Sequence, residues 1–144
     1  MSHDKTLTLI GAVPSPYTRK MVALLRYRHL RYRIIWDDPV AVLTGMKIAL
    51  PKVALLPTCL MLYEAGEIKA VCDSTPIIRR LDAEFTDRRV IPADPALAFI
   101  DYLLEDFADE WCTKYMFHYR WASAEDADNA GTLLPLFQKI DMPA

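Results

Sequence analysis

Cysteine is scarce in this sequence, and what there is does not pair. Cys59, Cys72 and Cys112 are an odd number among 144 residues and show no CxxC spacing. Neither a disulfide framework nor a metal site is indicated, and a reducing cytoplasm is the natural home of such a chain. Long apolar runs are missing as well. The longest, residues 53–62, holds Pro57 and Thr58 and falls well short of the ~18 residues of a membrane span. Met1 to Asp4 is polar and the apolar run Leu7 to Ile10 is short, so nothing at the N-terminus reads as a signal peptide. A large charge imbalance is also absent. The net charge of −2 and a pI of 5.9 give no reason to expect nucleic acid or a membrane as partner. No internal repeat or low-complexity tract is present.

What is present is a globular composition, 53% hydrophobic and 25% charged. The 16.5 kDa chain has room for one compact domain and a fraction of a second. Charge is uneven along it. Arg19, Lys20, Arg26, Arg28, Arg31 and Arg33 make the first third basic, and Asp101, Glu105, Asp106, Asp109 and Glu110 make a later helix acidic. Solvated faces or two mutually attracting surfaces account for this, with a polyanion site as the alternative.

Residues 6–10 alternate threonine with apolar residues and stop at Gly11, which predicts a strand. Ser15-Pro16 then supplies an N-cap and a proline at the first helical position. Tyr17, Val22, Leu24, Leu25 and Tyr27 carry a helix to about His29, and Arg31 to Trp36 reads as a second strand. Residues 37–52 are ambiguous, with weak helical periodicity around Val42 to Ile48 and a stop at Pro51. Thr58 to Leu62 and Glu67 to Val71 form a hairpin across the four-residue loop Tyr63 to Gly66. Asp73-Ser74-Thr75-Pro76 opens a helix through Ile77, Ile78, Leu81 and Phe85. A charged linker, 87–94, leads to Asp94-Pro95. From there Leu97, Ile100, Leu104, Phe107, Trp111, Tyr115 and Trp121 keep near-helical spacing over roughly 40 Å. Beyond Ala122 the pattern fades, through Thr132 to Ile140 and a Pro-Ala end.

A βαβ half joined to a ββα half, with a proline opening the third strand, is a thioredoxin-like α/β layout with a four-stranded mixed sheet. Ser15-Pro16-Tyr17-Thr18-Arg19-Lys20 resembles the active-site turn of serine-type glutathione transferases. Leu55-Leu56-Pro57-Thr58 resembles their cis-proline turn. Asp73 to Leu81 is similar to their acidic-Ser γ-glutamyl motif and the helix it begins. The resemblance covers residues 6–121. It implies a glutathione-binding domain over 1–86, a linker over 87–94, and an incomplete all-helical domain over 95–144.

The resemblance also assigns roles. Ser15 donates its hydroxyl proton to the glutathione thiolate, so that a thiol of reference pKa ~8.5 ionises more readily. Leu56, before a cis Pro57, offers backbone N–H and C=O to the cysteinyl part. Ser74 and the helix N-terminus hold the γ-glutamyl carboxylate while Asp73 pairs with the α-amino group. Each of Ser15, Asp73 and Ser74 also serves as an ordinary helix cap. Glutathione is then a cosubstrate, a small soft electrophile the second substrate, and no metal or redox cofactor is implied. Family members with cysteine in place of Ser15 form mixed disulfides, which serine cannot. Dimerisation is common in the family and would cover the apolar helical face.

Other residues read as structural. Cys59 and Cys112 are expected to be buried and inert, and Cys72 is the thiol to watch because it precedes Asp73. Tyr115, Phe117, Tyr119 and Trp121 suit packing. His118, near Glu110 and Lys114, suits a surface or interface, and Asp37-Asp38 suits a turn. Two departures from the family stand out. Leu55 and Leu56 are apolar where a basic or amide side chain often holds the glycine carboxylate, with Lys47 and Lys52 matching no motif, and the helical part is short. The expected function is glutathione conjugation. The alternatives are a non-catalytic scaffold of the same fold or glutathione-dependent disulfide reduction.

Overall fold

The computed structural model describes residues 6–63 and 66–138. Met1 to Lys5, Glu64 and Ala65 of the hairpin loop, and the end of the 132–140 stretch with its Pro-Ala terminus lie outside the described residues. The chain divides into two compact units that part between Val90 and Ile91.

The first unit runs β1 (Leu7–Gly11), α1 (Pro16–Tyr27), β2 (Tyr32–Trp36), α2 (Pro39–Gly45), β3 (Thr58–Leu62), β4 (Ile68–Cys72) and α3 (Ser74–Glu84). The strands form one mixed sheet in the order β2-β1-β3-β4, the thioredoxin-like βαβ-ββα arrangement. β1 pairs parallel with β2 and antiparallel with β3, and β3 antiparallel with β4. All five residues of β1 are buried, as befits a central strand covered on both faces. Its alternation sends Leu7 and Leu9 to one side, where they join Met21, Leu25, Cys59, Met61, Ile77 and Leu81 in the core. Ile10 and Leu43 of α2 are fully buried outside that cluster.

Local chemistry explains the boundaries. Three helices begin at a capping side chain followed by proline: Ser15-Pro16, Asp38-Pro39 and Asp94-Pro95. Asp38 Oδ1 accepts from Ala41 N at 2.9 Å, and Asp37 Oδ1 accepts from Asp38 N at 2.7 Å. α1 turns its buried Thr18, Met21, Val22 and Leu25 inward at i, i+3, i+4 and i+7. It ends in a Schellman motif: His29 takes φ 55°, and Leu30 N donates to Leu25 O. α2 ends the same way, with Lys47 at φ 56° and Ile48 N donating to Leu43 O. In the hairpin Leu62 pairs with Ile68, so the loop is five residues, 63–67, one longer than the sequence pattern predicts.

Arg28 departs from expectation. Grouped by sequence with a solvated basic set, its side chain is fully buried. Nη2 donates to the carbonyls of Phe85 and Asp87. Nη1 stands 3.3 Å from Asp82 Oδ1, an ion pair without hydrogen-bond alignment, since Nη1 and Nε have no hydrogen-bond partner among the described residues. Burial holds the guanidinium's pKa below its ordinary value, and the nearby Asp82 carboxylate offsets this only in part. Asp82 Oδ1 also accepts from Val90 N at 3.0 Å. The pair therefore ties the end of α1 to α3 and to the segment leaving it.

The second unit holds α4 (Pro95–Phe107), one π-helical turn (Ala108–Cys112), α5 (Thr113–Trp121) and α6 (Ala124–Gln138). The predicted long helix is thus interrupted by an i→i+5 turn. Ser123 opens α6, its Oγ accepting from Asp126 N and donating to Asp126 Oδ2. The periodic residues Leu97, Ile100, Leu104, Phe107, Trp111, Tyr115 and Trp121 are all exposed. Cys112 is half-buried, not fully buried as expected, in a stretch from α4 to α5 in which no residue is fully buried. No described helix is long and apolar enough to cross a membrane.

Asp82→Ala leaves the Arg28 cation buried without its counter-charge, and such a loss costs about 3 kcal/mol. Urea denaturation is expected to show that loss with an unchanged m-value. Arg28→Met and Asp82→Ala together are expected to cost less than the sum of the two single changes.

Candidate functional site

One rung of the sheet organises the candidate residues. Ile10 lies opposite Ile35 on one side and Thr58 on the other, and Thr58 lies opposite Cys72. The chain leaves β1 one residue later into the turn that carries Ser15. It enters β3 from Leu56-Pro57, and it leaves β4 directly into Asp73-Ser74. Ser15, Pro57 and Asp73 therefore all sit at the same end of the sheet, on three adjacent strands. At ~4.8 Å per strand, β1 and β4 are roughly 10 Å apart. Because β1 and β4 run in the same direction, α1 and α3 both begin at this end, and both direct their positive dipole ends toward it.

The turn after β1 is held by close packing. Ser15 N donates to Ala12 O at 3.1 Å. Thr18 is fully buried, and its Oγ1 accepts from Ala12 N at 3.2 Å. Thr18 is close enough to need glycine at 11, since a Cβ there would run into Thr18 Cγ2. Ser15 is half-buried, and its Oγ accepts from Thr18 N at 3.2 Å. A serine hydroxyl has two lone pairs and one proton, so this cap leaves the O–H available to donate.

The peptide bond between Leu56 and Pro57 is cis, as the resemblance implies. The carbonyls before it are engaged internally: Thr58 Oγ1 donates to Leu55 O at 2.7 Å, and Cys72 Sγ donates to Val53 O at 3.0 Å. Leu56 has neither its N–H nor its C=O in a hydrogen bond with any described residue.

Asp73 N-caps α3, accepting from Thr75 N at 3.2 Å. Its backbone stands at φ 74°, ψ 134°, a conformation that residues with a Cβ rarely adopt. Ser74 is buried at 1% exposure, and its Oγ has no hydrogen-bond partner among the described residues. A buried hydroxyl without a partner is destabilising, and this one stands at a helix N-terminus beside a strained residue.

The remaining candidates lie elsewhere or are otherwise occupied. Cys59 is buried in β3, and Cys72 is half-buried. Arg19 donates from Nε to Val13 O and lies over the Trp36 ring. Lys47 and Lys52 are both exposed. His118 is exposed, edge-on to Tyr119. Among the described residues no three His, Cys, Asp or Glu side chains converge as a metal site would require.

A family model for the glutathione S-transferase N-terminal domain matches residues 9–89, more than half of the chain. The chain belongs to the glutathione S-transferase family. Among solved structures it is similar to a glutathione S-transferase from Methylobacterium radiotolerans in complex with glutathione sulfonate. The TM-score is 0.62 at 24% identity, covering 87% of this chain and 60% of the other. A Tau class glutathione S-transferase from mango, Mangifera indica, gives 0.62 at 19% identity over 90% and 60%. A family member from Pseudomonas fluorescens Pf-5 with bound S-(propanoic acid)-glutathione gives 0.56 at 20% identity over 90% and 68%. The chain thus spans about 60% of the length of the first two, and at these identities the likeness is one of fold. No curated protein matches it.

Two features of the site had no clear signal in the sequence: the strained backbone at Asp73 and the unpartnered hydroxyl of Ser74. A capping Asp-Ser pair is ordinary, and only φ and burial distinguish this one. Asp73→Gly is expected to raise stability by about 1 kcal/mol, because glycine relieves the positive φ and is itself a fair N-cap. Asp73→Ala keeps the strain, loses the cap, and is expected to lower stability by about 1 kcal/mol. Chemical denaturation of both variants checks the sign of each.

Proposed function

We propose that the N-terminal unit binds glutathione across this end of the sheet and that Ser15 holds its sulfur as the thiolate for conjugation to an electrophile. The observation that carries the reading is the convergence of three unsatisfied groups on one sheet end: the Ser15 O–H, the unpaired backbone of Leu56, and the buried Ser74 hydroxyl at the start of α3. A tripeptide spans roughly 10 Å, matching the distance from β1 to β4. The relatives crystallised with glutathione derivatives support the same ligand.

In this reading the γ-glutamyl carboxylate meets the Ser74 hydroxyl and the α3 N-terminus, where an anion is stabilised by the orphan N–H groups. Asp73 takes the α-amino group as a charge-assisted pair, which gives its strained backbone a purpose. Leu56 pairs with the cysteinyl residue in antiparallel fashion. That places the sulfur toward Ser15, whose lone pair is bound by Thr18 N and whose proton is free to donate. A hydrogen bond to a charged sulfur contributes about 1.5–3 kcal/mol, enough to lower a thiol pKa of ~8.5 by about one to two. The thiolate then attacks the electrophile: the S–C bond forms, and the electron pair displaced at carbon leaves with the departing group or moves onto the acceptor. The three cysteines, none of them in a disulfide, suit a reducing compartment, and we place the protein in the cytoplasm.

Calorimetric titration with glutathione is expected to show saturable one-site binding that falls at least tenfold in Asp73→Gly, although that variant is the more stable protein. With a generic electrophile, Ser15→Ala is expected to lower kcat/KM by about 10–100-fold, with the glutathione Kd within about threefold. The sign of the pH effect follows from the role. Stabilising the thiolate depresses its pKa, so the acid limb of the kcat/KM profile moves to higher pH when Ser15 is lost. Equal turnover with an unmoved limb would rule out this role for Ser15, and binding without turnover in the unaltered protein would make it a scaffold.

A further inference from the structure

The same binding frame locates the third residue of the ligand. An antiparallel partner whose cysteinyl residue pairs with Leu56 continues back along the chain, beside Leu55, Ala54 and Val53. These residues have apolar side chains, and Leu55 and Val53 are 49% and 57% exposed. Leu50, on the same connection, is 51% exposed. The connection is also anchored by hydrogen bonds. The carbonyls of Val53 and Leu55 each already accept one hydrogen bond, from Cys72 Sγ and Thr58 Oγ1, which fixes the course of the connection. What this segment presents at the third position is a fixed apolar surface.

A free carboxylate is a poor match for it. The available cations on the connection are Lys47 and Lys52, both exposed. An exposed lysine must give up rotamer freedom and water to pair with a carboxylate, and such pairs contribute little. Arg19 already donates from Nε to Val13 O and stacks on Trp36. The γ-glutamyl end, by contrast, is served by a buried hydroxyl and a helix terminus.

Resting on the glutathione reading above, we propose that this site recognises the third residue of its thiol peptide by apolar contact with Val53 and Leu55. Its ligand class is γ-glutamylcysteinyl thiols whose C-terminus is uncharged, and these bind at least as tightly as glutathione. Specificity is concentrated at the γ-glutamyl and cysteinyl positions, and the third position tolerates a neutral apolar group.

Titration of the full chain with glutathione, its glycyl ethyl ester and N-acetylglutathione tests this. The ester is expected to bind with a Kd equal to or below that of glutathione, and N-acetylglutathione, with its amino group blocked, at least tenfold more weakly. Leu55→Arg is expected to shift the ratio of the two affinities at least fivefold toward glutathione. An ester that binds tenfold more weakly than glutathione would overturn the inference alone and leave the glutathione site standing; loss of glutathione affinity in Lys47→Met or Lys52→Met would then identify the carboxylate's partner. An unshifted ratio in a folded Leu55→Arg protein would also count against the inference. If none of the three ligands binds to folded protein, the glutathione reading fails and takes this inference with it.

Discussion

The rung Ile35–Ile10–Thr58–Cys72 is the constraint on which the candidate site depends. Each site residue is attached to it by a very short segment of chain: Ser15 by the Ala12 turn, Pro57 as the neighbour of Thr58, and Asp73 as the neighbour of Cys72. A slip of one residue in β3 would move Pro57 by ~3.3 Å along the sheet and turn buried Cys59 and Met61 to the opposite face. The hydrophobic pattern of β3 therefore holds the cis-proline turn in place. The core thereby sets the geometry of the candidate site even though no core side chain belongs to it.

The helices add a second level of order. α1 and α3 both start at the site end, and Arg28 joins them at the other. It sits at the C-cap of α1, faces Asp82 of α3, and takes the carbonyls of Phe85 and Asp87 just beyond. Capping carbonyls with a buried cation suits the negative end of a helix. Apolar residues of similar volume often match a buried ion pair in stability, but they do not satisfy those carbonyls. The charge pair serves to fix where the two helix axes lie, and so where Ser15 and Ser74 lie at their opposite ends.

Much of this fold was legible in the sequence because its punctuation is local. A capping residue followed by proline marks α1 and α4. Asp38-Pro39 carries the same chemistry but reads from the sequence as a turn, and periodicity over Val42 to Ile48 is too weak to decide for a helix, so α2 was not legible. Threonine alternation, Gly11 and the hairpin pattern mark the strands. Arg28 was illegible because its burial depends on Asp82, Phe85 and Asp87, more than fifty residues away, and nothing around Tyr27-Arg28-His29 distinguishes it from its exposed neighbours. The π turn at 108–112 was hidden for another reason: it preserves the helical spacing of Phe107, Trp111 and Tyr115 closely enough that the apolar pattern runs through it. The candidate residues at the site were readable as caps and turns. Their geometry was not, since the same Asp-Ser pair makes an ordinary cap when φ is negative and the hydroxyl meets solvent.

The division of labour at the site follows from where its groups come from. Backbone at Leu56 and helix termini at Ser15 and Ser74 are set by the fold, so the recognition proposed through them changes little when surrounding side chains change. Asp73 is the exception within that frame, a side chain held in place by an unfavourable backbone. Val53 and Leu55 are different again: their carbonyls are fixed, but their side chains are exposed and carry no packing duty in the core. Substitution there alters what the third position of the proposed ligand meets while leaving the sheet, the caps and the core intact. In the proposed binding mode, specificity can therefore change at the connection before β3 at little cost in stability, whereas change at Asp73 trades stability directly against the site.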